Sequence, residues 1–280
     1  MGDTGKAKLL IESHKSPHGH QLKPSLIGIL QKAKIVFYIG DILETNLTRA
    51  FENLPEMVKK VSMLNQQGLS KFDIREGGGW EGHEHSSHND SEDNAHKKSE
   101  DEHNHEHGDL NDPHIWLDPN NAVVMIKAIT RELSAIYPEN RSLFKRNALS
   151  LISDTETMDK EIKALLMPIK DSPFIVFHDA YQYFETHYNL TAVGSIVLDP
   201  TIPTSAKRLR ELRQKVASSG VTCIFREPQF SDKLSFVVAE DTAAKLATID
   251  PIGGGLKPGA DLYSKLLTRI ADGLYACLST

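Results

Sequence analysis

The segment LFKRNALSLISDTETMDKEIKALLM, Leu143 to Met167, runs without glycine or proline until Pro168. Its composition is helical throughout, and apolar residues recur at Leu149, Ile152, Ile162 and Leu166 as on one helix face. At about 1.5 Å per residue such a helix reaches roughly 35 Å, about the width of a domain. It suits a rigid connector between two lobes; a long helix packed within one domain fits the composition equally well.

On both sides of this helix, short apolar runs ending at turn or polar residues alternate with stretches of helical period. The strand candidates are Lys8–Ile11, Ile35–Ile39, Phe174–Phe177, Ala192–Val197, Val221–Phe225 and Leu246–Ile249. Helices are expected over Asn121–Tyr137, with Val124, Ala128, Ile129 and Leu133 on one face; over Ser205–Ser219, with Leu209, Leu212 and Val216 inward; and over Ala260–Leu278. Alternation of this kind predicts an α/β fold with mainly parallel sheets flanked by helices. The expected division is an N-terminal lobe over residues 1–140, a linking helix over 141–168 and a C-terminal lobe over 169–280.

With 280 residues, 39% of them hydrophobic, the chain can bury a large core, which excludes a disordered or fibrous protein. A net charge of −6 and the lack of a Lys/Arg-rich stretch speak against a nucleic-acid partner. No segment approaches the ~18 apolar residues that span a bilayer, and the start MGDTGKAKLLIESHKSPHGH shows no signal peptide. Taken literally, these features describe a cytoplasmic protein. Two cysteines, Cys223 and Cys277, leave room for one disulfide or two buried thiols.

The 13 histidines are clustered: His83, His85, His88, His96, His103, His105 and His107 fall in one stretch. Between Trp80 and Leu110 no aliphatic side chain exceeds alanine, so the region 81–112 reads as a surface loop inserted in the first lobe. Imidazoles mixed with carboxylates suit borderline cations such as zinc, and a loop of this composition predicts several weak, exchangeable sites. A specific site needs ordered histidines. His18 lies in Ser16-Pro17-His18, His114 follows Pro113 just ahead of a helix, and His178 ends the run Phe174-Ile175-Val176-Phe177, where open α/β sheets place ligands. Asp250 has a similar strand-end placement. Four such residues can close a tetrahedral zinc shell, but a lone histidine at any of these positions is more often a structural group than a ligand.

Five motifs in order, SPHGHQLKPS (16–25), DPHIWLDP (112–119), FHDAYQYF (177–184), CIFREPQF (223–230) and TIDPIGGG (248–255), resemble the series found in zinc-specific periplasmic binding proteins of bacterial ABC importers. These are the ZnuA type within the cluster A-I metal-binding proteins, and the resemblance extends from about Lys8 to the C-terminus. It implies two α/β lobes joined by one long backbone helix, with the metal in the interlobe cleft. It also implies His18 and His114 as N-lobe ligands, His178 and Asp250 on the C-lobe side, and supporting work for Glu227. At the position of His178, manganese-selective relatives carry a carboxylate; three imidazoles favour zinc. The resemblance further implies a Cys223–Cys277 disulfide, a periplasmic location, and a chain that opens at the family's second strand.

The function so implied is capture of Zn²⁺ and its delivery to an ABC transporter permease by a monomer without enzymatic turnover. Two other readings are a cytosolic zinc buffer or metallochaperone working through the loop, and a zinc hydrolase built on three histidines and a water. The hydrolase reading lacks an HExxH motif and an obvious general base.

Overall fold

The computed structural model describes residues 5–75 and 110–279. The histidine-rich stretch, with His83, His85, His88, His96, His103, His105 and His107, lies outside the described residues. The elements in order are α1 (Pro24–Leu30), β1 (Ile35–Tyr38), α2 (Thr45–Phe51), β2 (Lys59–Ser62), α3 (Pro119–Ile136), α4 (Arg141–Leu166), β3 (Phe174–His178), α5 (Gln182–Tyr188), β4 (Ala192–Val197), α6 (Ala206–Ser218), β5 (Cys223–Arg226), α7 (Lys233–Ala239), β6 (Lys245–Thr248) and α8 (Leu262–Leu278). No helix among the described residues is long and apolar enough to cross a membrane.

The strands form two parallel sheets, β1-β2 and the four-stranded β4-β3-β5-β6. All five residues of β3 are buried, as expected of a central parallel strand covered on both faces. Its pleat divides two cores. Phe174 and Val176 join a cluster with Met158, Ile162 and Leu166 of α4 and Leu267, Ile270 and Leu274 of α8. Ile175 and Phe177 turn the other way, onto Leu212 and Val216 of α6 and Val238 of α7. A third, smaller cluster joins Leu30, Val36, Leu47, Phe51, Leu54 and Val58 around the first sheet.

The long helix α4 has 26 residues, about 39 Å, and packs against both α3 and α8. Its buried side is Phe144, Thr155, Met158, Ile162 and Leu166, whereas Leu149 stands 69% exposed. The apolar face expected at Leu149 is therefore corrected: Ile162 and Leu166 hold, and Leu149 lies where no second layer covers the helix. His187 of α5 pins α4 to α3, with Nδ1 3.1 Å from Asp118 Oδ1 and Nε2 2.7 Å from Asp159 Oδ1. Asp118 itself caps α3 by accepting from Asn120 N at 2.8 Å, ahead of Pro119 in the first turn.

One strand expectation fails. Lys8–Ile11 is not a strand, and Lys8 and Leu9 are exposed; an apolar run becomes a strand only with a backbone ladder beside it, and none pairs there. Conversely β2, KKVS, carries a single buried apolar residue, Val61, and owes its conformation to pairing with β1 in register Ile35↔Lys59 to Tyr38↔Ser62. Cys223 of β5 and Cys277 of α8 form a disulfide with Cα atoms 6.2 Å apart.

Candidate metal centre

His18, His114 and His178 converge, although 96 and 64 residues separate neighbours in sequence. His18 precedes α1 in a tight turn, where Ser16 Oγ accepts from its amide at 3.2 Å and Gly19 adopts φ +64°, a left-handed conformation that glycine takes without strain. His114 stands at the entry to a 3-10 turn, Ile115–Leu117, that leads into α3. His178 is the last residue of β3. His18 Nε2 is 3.1 Å from His114 Nε2, and His178 Nε2 is 3.4 Å from the same atom. One ring nitrogen from each of the three lies within 4.8 Å of the others, an arrangement able to hold a metal ion.

Two carboxylates set the rings from behind. Asp112 Oδ1 lies 2.7 Å from His114 Nδ1 and accepts from the His114 amide at 2.9 Å; Glu227 Oε1 lies 2.7 Å from His178 Nδ1. With Nδ1–H donating to a carboxylate, each Nε2 turns its lone pair inward, the tautomer a cation requires. Asp112 was not singled out by sequence, although the Asp-Pro-His triplet places it two residues from the ring it orients. Loss of either carboxylate, as in Asp112→Ala or Glu227→Ala, is expected to lower divalent-metal affinity about 10- to 100-fold in a chelator-competition assay. Glu227→Gln, which keeps an acceptor but not the charge, is expected to recover part of that loss.

Burial shapes the protonation of the group. His18 is held down at about 2 by burial and by the other two imidazoles, and His114, fully enclosed, lies well below its ordinary value. For His178 burial opposes the charged form, but the Glu227 carboxylate outweighs it and raises the group above 6.5. Burial pushes Asp112 up to about 7 against the pull of the His114 amide and Arg75.

The three rings line a pocket of about 10 Å³, the room of about one water, together with Trp116, Phe230 and Pro251. Trp116 Nε1 donates to Pro251 O at 2.8 Å, and Tyr263 Oη donates to Trp116 O at 3.0 Å, so this wall is fixed from both halves of the chain. Asp250 is not brought into the histidine group. Its Oδ1 accepts from Gln229 Nε2 at 2.8 Å and from the amides of Ile252 and Gly253 at 3.0 Å each, which closes the turn after β6.

Parallel α/β sheets, a long helix packed against elements from both halves and three converging imidazoles, two of them buried, fit the class of metal-capturing solute-binding proteins. The profile described as "ZnuA: Zinc-uptake complex component A periplasmic" matches residues 1–277, and the chain belongs to this family. It is 38% identical over 290 residues to the "High-affinity zinc uptake system protein ZnuA" of Brucella suis biovar 1 (strain 1330), covering 100% of this chain and 87% of that protein. The protein of the same name from Paracoccus denitrificans (strain Pd 1222) is 33% identical over 288 residues, covering 99% of this chain and 86% of its own length. Among solved structures, "Crystal structure of ZnuA" superposes with a TM-score of 0.79 at 24% identity over 99% of this chain and 92% of that one, a likeness of fold.

Proposed function

We propose that this chain captures one Zn²⁺ with His18, His114 and His178 and delivers it to an ABC-type zinc uptake permease. The observation that carries the reading is the nitrogen spacing of 3.1 and 3.4 Å. Zn–N bonds of about 2.0–2.1 Å in tetrahedral geometry put ligand nitrogens about 3.3–3.4 Å apart. Three neutral imidazoles favour zinc over cations that prefer oxygen donors. The fourth position goes to solvent, with Asp250 left to its turn. The relatives, named as zinc uptake system proteins, and the family, described as a periplasmic component, support the same cargo and the same compartment. On this reading residues 1–140 and 169–280 are two lobes of a monomer, 141–168 is the helix between them, and the site lies in the cleft.

A competitive Zn²⁺ titration against a calibrated chelator tests the proposal on the full chain and on a version lacking His83 to His107. One tight site surviving the deletion supports capture in the cleft. Loss of all tight binding with the deletion gives way to the buffer reading.

The pH dependence follows from His178. Its Nε2 must shed a proton before it ligates, and the Glu227 carboxylate holds that proton to a pH above 6.5. Zinc affinity is therefore expected to rise with pH until His178 is neutral and to fall about tenfold per pH unit on the acid side of that point. His18 and His114, both held low, add no step of their own in this range; Asp112, pushed up to about 7 behind His114, is the other group that titrates there. An affinity unchanged between pH 8 and pH 6 would reject this role for His178.

A further inference from the structure

Residues 72–75 and 110–112 form a short antiparallel stem that no part of the metal reading has used. Ile74 N donates to Leu110 O at 3.0 Å, Asp112 N donates to Phe72 O at 2.8 Å, and Asp73 and Asn111 form a bridge. The stem belongs to the chain ahead of α3, yet it is seated on β3 and α5. Tyr183 Oη donates to Asp112 O at 2.9 Å and accepts from Phe72 N at 3.2 Å. Gln182, with its amide turned to satisfy both partners, donates to Asp112 Oδ2 at 3.1 Å and to Asp73 O at 3.2 Å.

Arg75 is the charged part of this seat. Its Nε donates to Asp179 Oδ1 at 3.0 Å and Oδ2 at 3.1 Å, its Nη1 donates to Glu185 Oε2 at 2.8 Å, and Nη2 reaches both carboxylates. The three side chains are only 17%, 5% and 7% exposed. A planar fork bridging two carboxylates fixes orientation as well as distance, which a lysine ammonium cannot do.

The two ends of this connection are what give it meaning. Asp112, at one end of the stem, orients His114; Asp179, held by Arg75, directly follows His178. We propose that Arg75 is a positioning residue for metal capture: by clamping the stem onto Asp179 and Glu185 it sets the separation of His114 from His178. The inference rests on the three-histidine reading. It makes the stem the part that brings ligands from the two halves of the chain to binding distance, and it predicts that fork geometry matters as well as charge.

The test uses the full chain with Arg75→Lys, and a charge-free variant combining Arg75→Gln, Asp179→Asn and Glu185→Gln, which leaves no unpaired buried carboxylate. Zinc affinity is read by chelator competition, ligand geometry by the visible spectrum of the Co²⁺-loaded chain, and folding by thermal unfolding of the metal-free chain. In the charge-free variant the expected result is a melting temperature within a few degrees of the parent, with zinc affinity at least tenfold lower and an altered Co²⁺ spectrum. Arg75→Lys is expected to fall between that variant and the parent. Parent-like affinity and spectrum in the charge-free variant overturn the proposal; if that variant does not fold, parent-like values in Arg75→Lys do so. His178→Ala, run in parallel, separates the two ideas: zinc affinity unchanged there removes the histidine site itself, whereas a large loss there beside unaltered Arg75 variants removes only the clamp.

Discussion

Zinc affinity of the His178→Ala chain is expected to fall by at least about 100-fold, beyond the 10- to 100-fold expected when only a supporting carboxylate is lost. His178 is 3% exposed, its Nε2 faces His114 Nε2 at 3.4 Å, and its Nδ1 is fixed by Glu227. Alanine removes one of three imidazole donors and leaves only solvent to replace it, and a site with two nitrogen donors loses its advantage over hydrated zinc. The substitution also leaves Glu227, 3% exposed, without the imidazole it held. Thermal unfolding of the metal-free variant separates that structural cost from the lost ligand. His178→Gln fills the space with a neutral group that can still reach Glu227, and it is expected to keep more stability while binding zinc as weakly. Chelator competition is the measurement, and a loss below tenfold in both variants would sink the assignment.

The second large effect concerns folding. Replacing Cys223 and Cys277 together by alanine is expected to lower unfolding free energy by about 4 kcal/mol, within the 2–5 kcal/mol span of native disulfides. The bond joins residues 54 apart in sequence, and the size follows from the chain entropy of closing a loop of that length. Cys223 is fully buried in β5 and Cys277 is on the inner face of α8, so the bond fastens the last helix to the sheet it covers. Denaturant unfolding of the parent with and without reductant, beside the double variant, checks the value. An unfolding midpoint indifferent to reductant would reject it. Zinc affinity is expected to change little, because the bond sits at the opposite end of β5 from Glu227.

The strands legible from sequence are those written as apolar runs, most plainly where they lie at the centre of the larger sheet. β3, β4, β5 and β6 each match an apolar run to within two residues; the central β3 and β5 are covered on both faces and need apolar side chains on both, whereas β6, at the sheet edge, has no fully buried residue. The seven-residue helices α1, α2, α5 and α7 escaped notice: two turns are too short for a helical period to stand out. β2 escaped for a different reason, since KKVS is a strand by virtue of its neighbour alone. At the site, each histidine could be named from its local motif, but convergence across 96 and 64 residues leaves no periodic trace. Asp250 shows the converse limit. Its strand-end position was read correctly, yet what its oxygen does depends on the backbone amides of Ile252 and Gly253, which only the folded turn supplies.

The small cavity bears on how long a captured ion stays. A space of about 10 Å³ has room for about one water beside the three nitrogens, so a zinc ion bound there would have shed most of its water shell. With the fourth position left to solvent, as the three-histidine reading has it, one water would stay on the ion, and further waters could enter only as an imidazole leaves. Dwell time would then depend on how often His18, less buried than His114 and His178, moves off the ion, a motion expected on the microsecond-to-millisecond scale or slower. A receiver would then need only to hold His18 aside long enough for its own ligands or for water to take the vacated position.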